Sequence, residues 1–528
     1  MPANSWPEND SYNEPDDFAS SMPSLPGSGE RNFGLESTDG NSQSQPPVGK
    51  IPEAENALES DSIQNLLPPC PPNKKSDRPH IPLNKGDARG IARGESRSQN
   101  PYQGRRRKAA VVLTIVWSGT IALHLVSWAT WIVLGLTTLM GIQVLRVVRA
   151  RPRTVPDILS LDSEDAPPFV SLLVAAKNEE AVISKLVENF CNIDYPSCRY
   201  EIWVIDDNSD DGTPVLLDRL ATKYDQLRVF HRAPGAGGGK SGALNQVIPL
   251  TKGDIIAVFD ADAQMPPDLV RRVLPLFERQ EVGAVQVRKA IANSSTNFLT
   301  RSQAAEMALD SFFQQQRIAI GGIGELRGNG QFIRRTALIG CDGFNEETIT
   351  DDLDLTIRLH LDRWDIDFFL DPGVDEEGVT KPMALWHQRN RWAEGGYQRY
   401  LDYWQPLLRG RLGRRKTFDL LMFWFFQYLL PTAAVPDMLM AIARNQMPML
   451  TPVTGMTVTL SLVSMFCGLR RIQVTQKGRM CLSETLLQTL RGTLYMLHWF
   501  AIVASVTARM SVRPKRLKWV KTAHSGNG

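Results

Sequence analysis

Residues 109–145 contain no Asp, Glu, Lys or Arg. As a helix, at roughly 1.5 Å per residue, that stretch would reach about 55 Å, against a hydrocarbon core of about 30 Å. One straight span overshoots, whereas two short spans fit; a single long, tilted helix is the alternative. Arg105, Arg106, Arg107 and Lys108 precede the stretch, and Arg146, Arg149, Arg151 and Arg153 follow it. Basic residues at both ends favour a transmembrane hairpin over 105–153 with both ends cytoplasmic. A second apolar region, 418–510, offers three candidate spans at 418–443, 449–469 and 486–508. Three crossings would separate the basic tail 511–528 from the basic loop RRIQVTQKGR. An even number is therefore expected, with one candidate split or lying in the interface. Pro431 and Pro436 make the first candidate the suspect. These features predict a multi-pass integral membrane protein.

The net charge of +2 and the 42% hydrophobic content give no sign of a nucleic-acid partner. The opening MPANSWPEND lacks the basic start and apolar run of a signal peptide. Residues 1–104 are rich in Ser, Pro, Gly, Asn and Asp, a composition too polar to offset the entropy of ordering, which predicts a disordered tail. Six scattered cysteines, with no metal-type pair, suggest free thiols in a reducing compartment.

Between the membrane regions lies a block, 165–400, the size of one large domain. FVSLLVAAKNEE, YEIWVIDDNSDDGT, GDIIAVFDADAQM and VGAVQVRKAI read as strands, alternating with amphipathic helices such as PDLVRRVLPLFERQ. That alternation predicts an α/β domain with a mostly parallel sheet and helices on both faces. Ligands in such sheets sit at the carboxyl ends of the strands, where the acidic clusters fall. Beyond the domain, 401–417 reads as an interfacial amphipathic segment, with Tyr397, Tyr400, Tyr403 and Trp404 beside Arg409, Arg411, Arg414 and Arg415.

Each motif has a plain and a chemical reading. Asp260 and Asp262 alternate on an extended segment, so both carboxylates can face one spot; two oxygen donors suit Mg²⁺ or Mn²⁺, and a solvated loop or helix cap explains them equally. Asp206 and Asp207 are also ordinary turn residues. GAGGGKSGALNQ is not a phosphate-binding P-loop, because Pro234 stands where the leading Gly is required. It is either a linker or a loop presenting Lys240 to a diphosphate. In ITDDLDLTIRLH the acidic residues suit a helix N-terminus, or one of them is a general base. Gly328 and Gly330 in RGNGQFIRR let backbone approach a ligand. His387, read alone, is a structural or capping histidine.

Taken in order, VAAKNEE, DDNSDDGT, GKSGALN, DADAQ, GNGQFIRR, TDD and QRNRW, flanked by membrane segments, resemble the membrane-embedded family 2 glycosyltransferases. These inverting enzymes include the cellulose and hyaluronan synthases. The N-terminal sequence, the run KAAVVLTIVWSGTIALHLVSW and the length narrow the resemblance to members that use Mg²⁺ and move glucose from UDP-glucose to diacylglycerol at the bilayer. The resemblance implies a cytoplasmic catalytic domain with Asp352 as the base. It places Glu179, Asp206 and Asp207 at the nucleoside, and Lys240 near the diphosphate. Asp260 and Asp262 match the DxD and would both hold the metal, Asp262 foremost, while Gln388, Arg391 and Trp392 match Q-x-x-R-W at the diphosphate and acceptor end. The motif TED is TDD in this chain, which leaves Asp352 in place. Lys177 stands where many members carry an aromatic, so that ring is not available to stack on uracil. Processive polysaccharide synthases share Q-x-x-R-W and form the alternative; a translocated polymer needs a channel of more spans.

Overall fold

The computed structural model describes residues 104–162, 166–475 and 480–513. The expected disordered tail lies outside the described residues apart from Gly104, as does the basic tail after residue 513. Helices α1 (Arg105–Leu125) and α2 (Ala129–Arg149) are each 21 residues long. At 1.5 Å per residue each reaches about 31 Å, the thickness of a hydrocarbon core. The charge-free stretch is thus two helices, broken around Ser127, and not one long rod.

The domain is built on a seven-stranded sheet. Its elements run β1 (Val170–Ala176), α3 (Ile183–Cys191), β2 (Tyr200–Asp206), α4 (Thr213–Lys223), β3 (Leu227–His231), α5 (Gly239–Val247), β4 (Ile255–Phe259), β5 (Val282–Ile291), α6 (Phe298–Ala319), β6 (Gln331–Arg334), α7 (Asp351–Leu361), β7 (Asp365–Glu376) and α8 (Pro382–Asp402). Strand order is β3-β2-β1-β4-β6-β5-β7, and β6 alone runs antiparallel to its neighbours. The mostly parallel sheet is as expected. Side chains alternate between two cores: Leu172, Val174 and Phe259 pack on one face with Phe190, while Leu173 and Val258 pack on the other with Leu244 and Leu355. Burial on both faces accounts for the near-continuous apolar runs. The chain leaves β1 toward β2 on one side, whereas β4 pairs β1 on the other, so the switch point lies between β1 and β4. Ligands bind at such crevices.

Helices α9 (Arg414–Arg444) and α10 (Thr451–Thr475) follow, then α11 (Leu482–Met496) and α12 (His498–Val512). The suspect first candidate is continuous. Within α9 the backbone makes a π turn at Phe425–Leu429. The carbonyl that the Pro431 ring would strike, four residues back at Gln427, lies in that turn, which accommodates the ring. The third candidate is the one that breaks: α11 and α12 are 15 residues each and are interrupted at Leu497. Four helices among the described residues, α1, α2, α9 and α10, are long and apolar enough to cross a membrane.

One further expectation changes. Tyr397 and Tyr400 are not surface residues; they are buried against Tyr428, with ring centroids 5.2 and 5.7 Å away. Helix α8 packs there on α9, and this contact hides the aromatic side of the segment read as interfacial. Trp404 and Arg409, Arg414 and Arg415 remain exposed. Among the described residues Cys191, Cys341, Cys467 and Cys481 are free.

Candidate active site

One cavity of about 530 Å³ opens at the carboxyl ends of β1, β2 and β4. Lys177 reaches it from the end of β1, Asp207 from β2, and Asp260 and Asp262 from beyond β4. Asp352 enters from the first turn of α7, and Gln388, Arg391 and Trp392 enter from α8. Segments far apart in sequence therefore converge on one volume.

The first two loops lock each other. The Glu179 amide donates to Oγ1 of Thr213 at 2.9 Å, and the Gly212 amide donates to the Glu180 carboxylate at 2.9 Å. Glu179 is buried and lines the cavity. Asp206 does not line it. That carboxylate accepts the Ser209 amide at 3.1 Å and lies 3.0 Å from Nδ1 of His231, so it holds the DDNSDD turn from within. Asp207 lines the cavity and pairs with Arg232. The same guanidinium donates to the Gly237 carbonyl at 2.6 Å and to Oε1 of Gln246 at 3.2 Å. Arg232 thereby ties the acidic turn to the glycine-rich loop, where Gly238 and Gly239 have φ of 82° and 53°.

Lys240 opens α5 and pairs with Asp260. Burial alone would lower its ammonium, but Asp260, Asp351 and Asp352 outweigh that and raise it above the ordinary value. The base candidate moves the other way. Burial, then the charge of Asp351, pushes the Asp352 carboxyl up to about 6, against the pull of the Leu353 amide, Arg327 and Lys240. That amide donates to Oδ1 of Asp352 at 2.8 Å. A carboxylate poised near neutral pH suits proton transfer.

Asp260 and Asp262 offer two carboxylates, and Oδ2 of Asp262 accepts the Glu377 amide at 2.8 Å. No group of three or more His, Cys, Asp or Glu able to hold a metal occurs among the described residues. Such a donor set fits a hard divalent cation that completes its shell with phosphate oxygens and water. It does not fit a closed structural zinc site.

On α8 the QRNRW motif splits by helical face. Gln388, Arg391 and Trp392 look into the cavity. Arg389 and Asn390 look away: Arg389 donates to Glu306 at 2.5 Å and stacks on Trp392 at 4.0 Å, while Asn390 accepts from Arg509 at 3.2 Å. His387 is exposed and lies off the cavity. Burial lowers the Arg391 guanidinium, with Asp260 and Asp352 opposing.

Several lining residues were not singled out from sequence. Lys289 pairs with Glu376 at 2.9 Å and lies over the Trp392 ring at 5.1 Å. Its signal was available: it follows Val285 and Val287 on one face of β5 at the same sheet edge. Arg327, 2.9 Å from Asp310 and 2.7 Å from Glu325, gave no comparable signal. Past Trp392 the cavity continues between apolar walls, with Phe313 of α6, Phe426 of α9, Leu460 of α10, Met496 of α11 and Phe500 of α12.

Among solved structures, the mannosyltransferase PcManGT from Pyrobaculum calidifontis, in complex with GDP-Man and Mn²⁺, is similar over 73% of this chain and 98% of its own, at 19% identity and TM-score 0.44. Residues 167–395 match the family described as glycosyltransferase like family 2. A β-monoglucosyldiacylglycerol synthase of Trichormus variabilis is 65% identical over 428 residues, covering 81% of this chain and 91% of the relative. Its counterpart in Synechocystis sp. is 55% identical over 425 residues, covering 80% and 89%. The chain belongs to the family 2 glycosyltransferases, and within them to the group of the β-monoglucosyldiacylglycerol synthases.

Proposed function

We propose that the protein transfers glucose from UDP-glucose to the free hydroxyl of 1,2-diacylglycerol at the membrane surface, with inversion, giving the β-glucoside. One observation carries this reading: a single cavity runs from Asp260, Asp262 and Asp352 to apolar walls contributed by helices long enough to cross a bilayer. A lipid alcohol can enter such a cavity without leaving an apolar environment. The named relatives support the same reaction.

In this mechanism Glu179 and Asp207 bind the nucleoside, and Lys240 and Arg391 face the diphosphate. Their fixed positive charge stabilises the negative charge that develops as UDP departs with the bonding electron pair. Asp260 and Asp262 would hold Mg²⁺, or Mn²⁺ in its place, which supplies further positive charge at the diphosphate. Asp352 accepts the proton of the acceptor hydroxyl while that oxygen bonds to the anomeric carbon from the face opposite UDP. Such assistance is typically worth about 10²–10⁴ in rate. Trp392 offers a flat apolar face to the acceptor, and Gln388 a carboxamide. Arg105, Lys108, Arg146 and Arg149 lie at the domain-side ends of α1 and α2. Their charge supports a cytoplasmic domain.

Incubating membranes containing the protein with labelled UDP-glucose or UDP-galactose tests the reading. Label from UDP-glucose is expected in the organic phase as a small β-glycolipid. Label in insoluble polymer would identify a processive synthase instead.

A further inference from the structure

The π turn of α9 sits in the wall of the cavity, where it presents Phe426 and Gln427. Turns of this kind are rare and concentrate at functional sites. The next residue, Tyr428, is 2% exposed, donates to the Ala393 carbonyl at 3.2 Å, and packs on Gly396, whose missing Cβ would lie 2.2 Å from the Tyr428 oxygen. One residue earlier, Gly395 receives Thr350, the residue that precedes Asp351 and Asp352. Helix α8 therefore clamps the π turn and the start of α7 side by side, which brings Gln427 to the same part of the cavity as the base.

Oε1 of Gln427 is buried and has no hydrogen-bond partner within the protein; Oγ1 of Thr350 and Oδ2 of Asp351 are in the same condition. A buried amide oxygen without a partner is costly. Turned either way round, the carboxamide offers one donor or one acceptor to whatever occupies the cavity. The stretches that α9 to α12 contribute to the wall carry no charged side chain among the described residues. A neutral amide in an uncharged, largely apolar wall suits a neutral ester lipid and not an anionic headgroup.

We propose that Gln427 is an acceptor-binding residue: its carboxamide holds the glycerol-ester portion of diacylglycerol, and one acyl chain runs along the arm between α9, α10 and α12. The proposal rests on the glucosyl-transfer reading above and adds the residue that seats the acceptor. Thr457 and Ser461 of α10, which also line the cavity, are small, which leaves width for a chain. Thr457 already donates to its own helix at Val453, 2.8 Å away, so its methyl group is what it can offer.

The test uses the full chain in lipid nanodiscs, with UDP-glucose as donor and dioleoylglycerol or dioctanoylglycerol as acceptor. Gln427→Leu is expected to raise KM for dioleoylglycerol about tenfold, the effect of losing one hydrogen bond, with UDP affinity within twofold of wild type. An unchanged acceptor KM overturns the proposal, as does an equal change for donor and acceptor. Should Gln427→Leu lose UDP binding altogether, Ser461→Phe decides: a selective loss of activity on the long-chain acceptor supports the arm, and an unaltered chain-length profile overturns it. A wild-type protein that glucosylates neither diacylglycerol overturns the transfer reading itself, which is a separate result.

Discussion

The Cβ that Gly395 lacks would lie 2.4 Å from Oγ1 of Thr350. Helix α8, which carries Arg391 and Trp392, thus meets the segment leading into Asp352 at a distance only glycine permits. Gly395→Ala is expected to push Thr350 and the first turn of α7 away from the cavity. A displacement of about 1 Å can cost on the order of 10² in rate. Steady-state kinetics should show that loss in kcat, with KM for UDP-glucose within a few-fold.

Asp352→Asn removes the proposed proton acceptor and keeps the shape. Transfer is expected to fall by at least about 10²–10⁴, the usual contribution of a general base. UDP-glucose binding should stay within a few-fold, measured by calorimetry. Full activity in this variant would exclude Asp352 as the base.

The pH profile follows from the raised carboxyl of Asp352, pushed up to about 6. The base must be ionised to accept a proton, so activity is expected to decline as pH falls through about 6 and to level off above it. Asp351 contributes to that shift by like-charge repulsion. Asp351→Asn should therefore move the acid limb to lower pH, and a limb that stays in place would count against this electrostatic account.

Asp260 and Asp262 belong to no group of three or more metal-binding side chains among the described residues, so they should hold a divalent ion weakly. Treatment with EDTA is expected to stop transfer, and added Mg²⁺ or Mn²⁺ to restore it. Asp262→Ala should resist that restoration at ordinary metal concentrations. Turnover that persists in chelator would remove the metal role from Asp262.

Much of the acidic end of the cavity was legible in the sequence because strand-end chemistry is local. Asp207, Asp260 and Asp262 follow apolar runs directly, so once those runs form a parallel sheet the carboxylates arrive at one edge. Asp206 shows the limit of that logic: it is adjacent to Asp207 but points the other way, toward His231, because neighbours on an extended segment face opposite sides. The helix break at Leu497 was not legible, since residues 486–508 carry no proline or glycine except Gly492, which sits inside α11. Arg327, Asp310 and Glu306 reach the cavity only through packing between α6, the loop before β6 and the membrane-side helices, contacts that no spacing rule encodes. Tyr397 and Tyr400 misled for the same reason: their composition suits an interface, yet a partner helix covers them.

Glu325 is fully buried and meets Arg399 at 2.9 Å, Arg327 at 2.7 Å and Arg317 at 3.5 Å; Arg317 also meets Asp419 of α9 at 2.9 Å. Those guanidiniums hold the Glu325 carboxyl well below the usual carboxylate range, although burial alone would raise it. Removing one partner from a buried ion pair costs about 3–5 kcal/mol. Trimming the chain ahead of α9 to obtain a water-soluble catalytic fragment would strip Asp419 from Arg317 and bare the Tyr397–Tyr428 contact in the same cut. The transferase half is therefore not a portable module: whatever separates it from α9 also unpicks the charge cluster through which Arg399 and Arg327 reach the cavity.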